Sequence, residues 1–361
     1  MSQYKSYSIW KESVPYPAQA QLQEPKGIIR TLTHDGKNDI LPFLHDLAIT
    51  AFDGKIYEAW YNSTDAEICG SSLIRGRFSS NEGTTWSEPF TVIGSIGSNE
   101  EHYVPVNFFP HEGKLYALIT EMAGKNMTLT LDLYEQQADP FEKWKKLSNV
   151  SGGFICNAPP TMMNNGNYIA GAWIPMKEET PAFPVVLISQ GKDITKEWRC
   201  NFFYDPLHPS APSIRCPETT VYVEDNVVTA FVRNDEGPSY IFVSKDYGET
   251  WSKPYYNPMP VGNSKIYAGK LSNGKKFIVY NEERGYFVRT LLSIAVAERG
   301  SDQFSKVYKL FDGDCPEIGR GHIWFYPCTY EYNGYLYVAC TLQEPDYIRS
   351  AIVAKIPVDS L

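Results

Sequence analysis

A two-residue turn of the Asp-Gly or Asn-Gly kind, followed at once by an apolar and aromatic strand, recurs six times in this chain and leaves few folds open to it. The copies are Asp53-Gly54 before Ile56 and Tyr57, Glu112-Gly113 before Leu115 and Tyr116, Asn165-Gly166 before Tyr168, Asp225-Asn226 before Val227 and Val228, Asn273-Gly274 before Phe277, and Asn333-Gly334 before Leu336 and Tyr337. Such pairs are the strongest short-range hairpin signal, because both central residues of a type I′ turn need positive φ. Their spacing of about 48–60 residues matches one four-stranded sheet per repeat.

A second signal falls in phase with the first. Ser79-Ser80-Asn81-Glu82-Gly83-Thr84-Thr85-Trp86 and Ser244-Lys245-Asp246-Tyr247-Gly248-Glu249-Thr250-Trp251 both fit S-x-[DN]-x-G-x-T-W. In this turn the Asp or Asn carboxamide or carboxylate accepts backbone N–H groups, Gly takes the left-handed position, and Trp buries itself between sheets. These residues serve folding, not chemistry. Outer strands are expected to begin at Trp86, Trp144, Trp198, Trp251 and Phe304, which accounts for five sheets. The sixth hairpin, at Gly334, ends at Leu361 without an outer strand, and Ser8-Ile9-Trp10-Lys11-Glu12-Ser13 resembles the start of the strand at Trp251. The expectation is an all-β, six-bladed β-propeller of four-stranded antiparallel blades, one domain over 1–361, its last blade closed by this N-terminal strand, which removes an open sheet edge. A seventh blade from residues 20–42 is the alternative.

Composition agrees: 25 Tyr, 18 Phe and 8 Trp stand beside 26 Gly and 25 Pro, a mixture of strand formers and turn formers. The formal net charge of −9 argues against nucleic acid and anionic membrane surfaces as partners. The N-terminus lacks the basic start and apolar core of a secretory leader, and no apolar stretch approaches a membrane span, so the expectation is a cytoplasmic protein, secreted only if a leader has been removed. Seven cysteines with no C-x-x-C spacing argue against a disulfide framework and a zinc site, and the sequence offers no P-loop, no G-x-G-x-x-G and no His-Glu-x-x-His. No metal and no cofactor are expected.

In a propeller the innermost strand of each blade delivers its first residues to one mouth of the central channel. Those segments are Leu44-His45-Asp46, Glu101-His102-Tyr103, Cys156-Asn157, Arg215-Cys216-Pro217-Glu218, Ser264-Lys265-Ile266-Tyr267 and His322-Ile323-Trp324-Phe325-Tyr326. Three of the six histidines, His45, His102 and His322, fall at equivalent entrances. Candidate site residues are therefore Tyr326, Glu218, His45 and Asp46, with His102, Asn157, Tyr267 and His322 beside them.

Glu218 through Arg233, followed by Ser244–Trp251, resembles the sialidase (neuraminidase) superfamily with its Asp-box repeats. There a Glu precedes a substrate-binding Arg by one hairpin. The resemblance extends to Arg289 in the place of a further arginine and to Phe325-Tyr326-Pro327 in the place of the strand that carries a nucleophilic tyrosine. It implies that Arg233 and Arg289 clamp a sugar carboxylate, and that Glu218 takes the proton of Tyr326 so that the phenolate attacks the anomeric carbon. Tyrosine suits an anionic substrate, since a carboxylate nucleophile would repel it.

The chain departs from that pattern in blade one, where Pro42-Phe43-Leu44-His45-Asp46 replaces an Arg-Ile-Pro motif. Arg30 or His45 stands in for the missing first arginine, and the acid/base residue is Asp65, Glu67 or His45. A histidine there also resembles the rhamnose–glucuronate lyase and rhamnosidase-like branch, in which a His or Tyr abstracts the proton beside a uronate carboxylate. The expected function is an exo-acting glycosidase on a terminal acidic sugar. The alternatives are a polysaccharide lyase and a glycan-binding propeller in which Tyr103, Trp173, Tyr267, Trp324 and Tyr326 stack sugar rings. In each case the partner is an acidic carbohydrate.

Overall fold

A computed structural model describes residues 4–64, 66–67, 72–97, 102–123, 127–175, 182–208, 211–313 and 321–361. Six antiparallel sheets follow one another around a central axis. Blade 1 comprises Phe43–Phe52, Lys55–Ser63, Leu73–Ser79 and Phe90–Ile93, and blade 2 comprises His102–His111, Lys114–Met122, Thr128–Glu135 and Lys145–Ser151. In blade 3 the inner strand is split into Ile155–Cys156 and Thr161–Met162, both paired to Tyr168–Ile174, because Pro159 and Pro160 withdraw two backbone donors. Blade 4 runs from Thr219–Glu224 to Tyr255–Tyr256, and blade 5 from Tyr267–Lys270 to Phe304–Asp312. Among the described residues helix is confined to three short 3-10 turns.

Blade 6 has Ile323–Tyr332, Tyr335–Gln343 and Arg349–Pro357, and an N-terminal strand closes it. That strand is Ile29–His34, whose Ile29 to Leu32 pair with Lys355 to Ile352, not Ser8–Ser13 as the likeness to Trp251 suggests. The reason lies in the local sequence: Ile29-Arg-Thr-Leu-Thr-His34 is proline-free and β-branched, whereas Ser13 leads into Val14-Pro15-Tyr16-Pro17. Residues 6–23 instead run along the rims of blades 4 and 5, with single bridges from Ser6 to Tyr256, Trp10 to Phe304 and Gln23 to Tyr308. Residues 20–42 complete blade 6 and build no seventh blade.

The repeats act as their chemistry requires. Asp53 and Gly54, Glu112 and Gly113, and Asn333 and Gly334 all have positive φ. In the turn after Ser244, the Asp246 carboxylate accepts the Thr250 N–H at 2.9 Å, the Ser244 hydroxyl accepts the Gly248 N–H at 2.8 Å, and Gly248 has φ 83°. Asn81 and Ser79 make the same bonds to Thr85 and Gly83. Six apolar clusters fill the six gaps between neighbouring blades. Trp144, for example, stacks on Phe108 at 5.0 Å between ring centroids.

One buried group has no such support. Glu58 lies fully buried, opposite Arg77 in the strand ladder, and both its carboxylate oxygens lack a hydrogen-bond partner. Burial pushes its carboxyl up to about 8, and Thr33 and Arg77 offset this only in part. Its folded pKa exceeds the unfolded value of 4.5, so its contribution to stability is present below pH 4.5 and lost as pH rises through 8. Glu58→Gln, which mimics the neutral acid, is expected to raise the melting temperature at pH 9 and leave it nearly unchanged at pH 4.5. Scanning calorimetry at the two pH values tests this, and an equal shift at both would contradict it.

Candidate functional site

The inner strands of blades 1 and 6 both carry an irregularity near their channel entrance, between His45 and Ala48 and between Phe325 and Cys328. There Asp46 has φ 56° and Tyr326 φ 50°. A bulge of this kind re-aims a side chain, and left-handed backbone at a non-glycine residue stores about 1–3 kcal/mol that the surrounding sheet must hold. Both residues stand at the end of the channel opposite the hairpin turns.

Tyr326 meets blade 4 across the channel. Arg233, just beyond the strand Val227–Val232, donates from Nη1 to the Tyr326 hydroxyl at 2.9 Å and to Glu218 Oε2 at 2.6 Å, and from Nε to Asp235 Oδ1 at 2.8 Å. All three charged residues are buried, Arg233 to 4% exposure. Burial alone would lower the guanidinium, but Tyr326, Glu218 and Asp235 outweigh it and hold Arg233 firmly protonated. Burial first, then the Glu218 carboxylate, pushes the Tyr326 phenol well above its ordinary range, against Arg233 and Arg289. Tyr326 is thus a protonated phenol at neutral pH.

Two further arginines stand over the rings of Phe325 and its neighbours. Arg289 lies 5.1 Å from the Phe325 centroid and 5.8 Å from that of Tyr326, and donates from Nη2 to the Asn263 carbonyl at 2.8 Å. Arg349, which opens the third strand of blade 6, lies 4.6 Å from Phe325 and 4.2 Å from Phe43, and donates from Nε to Gln343. Among the described residues neither has a carboxylate at ion-pair distance, and Arg289 Nε and Arg349 Nη1 are buried without a hydrogen-bond partner. Burial accordingly lowers both guanidinium groups from their usual range. They remain cations, since arginine does not deprotonate in proteins.

His45 packs on Tyr326 with ring centroids 4.4 Å apart, and its Nδ1 is 3.2 Å from the Thr341 hydroxyl. Burial, followed by the like charges of Arg349, Arg289, Lys265 and Arg233, holds it well below the ordinary imidazole range, so the ring is neutral at pH 7. Asp46 forms a buried ion pair with Lys265, whose ammonium lies 5.4 Å from the Tyr326 ring centroid. Burial pushes the Asp46 carboxyl up to about 6, with Lys265 opposing. Glu67, exposed on the blade 1 loop, is close enough for its charge to act on Tyr61, Tyr326, Asp46 and Arg349. Asp65 lies outside the described residues.

The structure thus brings together Tyr326, Glu218, His45, Asp46, Lys265 and Phe325 from the blade entrances with Arg233 and Arg289, and places Arg349 and Asp235, which the sequence did not single out, beside them. Arg30 does not reach them: on the outer strand of blade 6 it binds Glu24 at 2.7 Å and the Leu310 carbonyl of blade 5. Asn157 sits behind Glu218, accepting the Thr219 N–H at 3.0 Å. His102 stands at the entrance of blade 2 beside Ser72 and Met122, and His322 stacks on Trp324 at 6.4 Å. Tyr267 donates to the Thr329 carbonyl and lines a separate crevice of about 210 Å³ with Val223, Lys270 and Glu331, toward the hairpin turns. Arg349 had a sequence signal, because it opens the third strand of its blade much as Arg289 precedes that of blade 5. Among the described residues no group of three or more His, Cys, Asp or Glu side chains could hold a metal ion, and no helix is long and apolar enough to cross a membrane.

A family profile for the BNR repeat-like domain matches residues 55–346. No curated protein matches the sequence. Among solved structures, a mutant of Trypanosoma rangeli sialidase displaying trans-sialidase activity superposes with a TM-score of 0.70 at 14% identity, over 94% of this chain and 60% of that one. A Dyadobacter fermentans protein of unknown function gives 0.70 at 14%, over 91% of this chain and 99% of that one. The K499G mutant of NanB sialidase from Streptococcus pneumoniae gives 0.66 at 13%, over 96% and 72%. The chain spans about 60% of the length of the Trypanosoma enzyme, and at this identity the likeness establishes the fold.

The two kinds of arginine should separate in stability. Arg233→Met strands Glu218 and Asp235 without their partner and is expected to lower the unfolding free energy by roughly 3–5 kcal/mol. Arg349→Met removes a half-buried cation that has no carboxylate at ion-pair distance among the described residues and is expected to leave stability unchanged or higher. Urea titration of the two variants decides, and an equal loss in both would contradict the assignment.

Proposed function

The chain belongs to the BNR repeat-like family, and from that premise we propose that it is a carbohydrate-active enzyme that hydrolyses a terminal acidic sugar from a glycan, with Tyr326 as nucleophile. The observation that carries this reading is the pairing of a tyrosine bound by Arg233 with the buried Arg289 and the half-buried Arg349, neither of which has a carboxylate at ion-pair distance among the described residues. Desolvated, uncompensated guanidinium groups favour an anion, and a carboxylate accepts two N–H groups from each. The Trypanosoma rangeli sialidase has been solved in complex with sialic acid, a carboxylated sugar.

In this scheme Arg289 and Arg349 hold the carboxylate and the anomeric carbon faces the Tyr326 oxygen. Glu218 takes the phenolic proton, Arg233 binds both oxygens throughout, and the O–C bond forms as the glycosidic bond breaks. The phenolate charge that develops as the proton leaves, before the O–C bond consumes it, lies beside Arg233 and Arg289, with Lys265 below the ring, where it is stabilised without reorganisation. The leaving oxygen is protonated by Asp65 or Glu67; in the second half the same carboxylate takes a proton from the water that attacks the anomeric carbon, and Glu218 returns its proton to the Tyr326 oxygen as the glycosyl–tyrosine bond breaks. His45, being neutral, does not serve as the acid.

The neutral His45 ring against Tyr326 does favour a second reading, elimination beside a uronate, since a neutral imidazole accepts a proton where an imidazolium cannot. One experiment separates the readings. Purified protein is incubated with sialosides and with rhamnose-capped glucuronate oligosaccharides while free sugar and absorbance near 230–235 nm are followed. Released acidic sugar without absorbance supports hydrolysis, an absorbance rise supports the lyase, and silence in both leaves a glycan-binding propeller. For the hydrolase, Tyr326→Phe is expected to lower kcat by at least about 1000-fold with little change in substrate affinity. Arg349→Ala is expected to raise KM more than it lowers kcat. Full turnover in Tyr326→Phe would remove the nucleophile assignment.

A further inference from the structure

The N-terminal arm that sequence analysis assigned to closing the propeller does something else. It lies across the rims of blades 4 and 5, fixed by the Tyr7 N–H to the Tyr256 carbonyl at 2.9 Å, the Lys11 N–H to the Phe304 carbonyl at 2.9 Å, and the Phe304 N–H to the Ile9 carbonyl at 2.7 Å. Between this arm and the connection through Pro258 and Pro260 is a crevice of about 520 Å³ walled by Tyr7, Trp10 and Tyr16. The polar ends of two of these rings are turned into the protein: Trp10 Nε1 donates to the Val14 carbonyl at 2.7 Å, and the Tyr16 hydroxyl donates to Glu282 at 2.7 Å. Trp10 and Tyr16 stand 4.9 Å apart at 56°, and Tyr7 is braced by Tyr255 at 5.2 Å. The rings are therefore preorganised, part-exposed surfaces, and ordering them on binding costs little.

We infer that this crevice is a second carbohydrate-binding site, one that takes a neutral sugar. Its single charged wall residue is Glu12, with the Ser6 and Ser8 hydroxyls beside it, so an acidic sugar or a phosphate finds a like charge and no cation. A neutral pyranose offers C–H faces to the rings and hydroxyl donors to Glu12. The choice of a sugar over another apolar ligand rests on the carbohydrate reading of the channel mouth. The connection that forms the crevice wall at Pro260 continues to Asn263, which accepts from Arg289, and to Lys265 below Tyr326. Five residues span at most about 18 Å, so one short connection links the crevice wall to the channel mouth.

The test is isothermal titration and tryptophan fluorescence with lactose and cellobiose as neutral probes and a polyproline peptide as the rival ligand. Saturable one-to-one binding of a neutral disaccharide is expected in the wild type and equally in Tyr326→Phe and Arg349→Ala. It is expected to weaken at least about tenfold in Trp10→Ala. Glu12→Ala, an exposed position that does not threaten the fold, is expected to weaken it severalfold. No saturable binding, binding indifferent to both Trp10 and Glu12, or preference for the peptide would each overturn the site. Binding lost in Arg349→Ala but retained in Trp10→Ala would place the sugar at the mouth and overturn it as well. Because turnover plays no part in these readouts, failure of the Tyr326 chemistry and failure of this site are seen separately.

Discussion

The Arg233 guanidinium is the interaction on which the centre of the molecule depends. Through three donors it ties Glu218 and Asp235 of blade 4 to Tyr326 of blade 6, so one buried cation joins elements on either side of the channel. A charge at 4% exposure is tolerable only when it is paired and hydrogen-bonded, and here two carboxylates and a phenol take three of its five N–H groups. That sufficiency also sets the division of labour. Arg233 is satisfied by the protein, whereas Arg289 and Arg349 are left with unpartnered nitrogens beside the same tyrosine. In a chain of net charge −9 four cations, Arg233, Arg289, Arg349 and Lys265, gather where the channel opens, each within 6 Å of the Tyr326 or Phe325 ring.

Below this layer lies a second one built on the same device. Asp46 and Tyr326 both sit at irregularities in inner strands, both have left-handed backbone, and Lys265 stands between them, paired to the first and under the ring of the second. Burial pushes Asp46 up to about 6, so its proton is retained in the folded state until the pH rises through that value, above the 3.8 of the unfolded chain. Below about pH 6 the protonated Asp46 leaves Lys265 as an uncompensated cation facing Tyr326 and three arginines. The mouth is therefore most strongly cationic on the acid side, and the ion pair tempers it above.

What the sequence made legible was whatever is local. The turns at Asp53, Glu112 and Asn333, and the boxes at Ser79 and Ser244, state their backbone conformation in consecutive residues, and their phase yields the blade count. Glu218 and Tyr326 were found because each lies at a blade entrance in step with the repeat, whereas Arg233 and Arg289 came from the resemblance to the sialidase pattern alone. The failures are tertiary. The likeness of Trp10 to Trp251 pointed to the wrong segment, because it does not extend to Pro15 and Pro17, and because the pairing of Ile29–His34 with the third strand of blade 6 joins opposite ends of the chain. Tyr267 and Lys265 are two residues apart, yet one faces the turn-side crevice and the other Tyr326, because alternation along a strand entrance cannot be phased from composition. Asp235 escaped notice because it acts through Arg233, two residues away, and carries no pattern of its own.

Closure of the ring and construction of the site turn out to be the same event. After Ile29–His34 pairs with blade 6, the chain turns at Gly36, whose N–H donates to the Ser350 hydroxyl at 3.0 Å and whose missing side chain allows it to lie on Arg349: a Cβ there would fall 2.1 Å from the Arg349 carbonyl oxygen. Six residues later the Pro42 carbonyl accepts the Arg349 N–H at 3.1 Å, and Phe43 presents its ring to the guanidinium at 4.2 Å. His34 and Arg75 hold Asp39 between them at 2.6 Å each, fixing the loop that makes this approach. The third arginine is thus positioned by the segment that joins the first blade to the last. A cation of blade 6 is held against blade 1 by the segment that follows the strand completing the propeller.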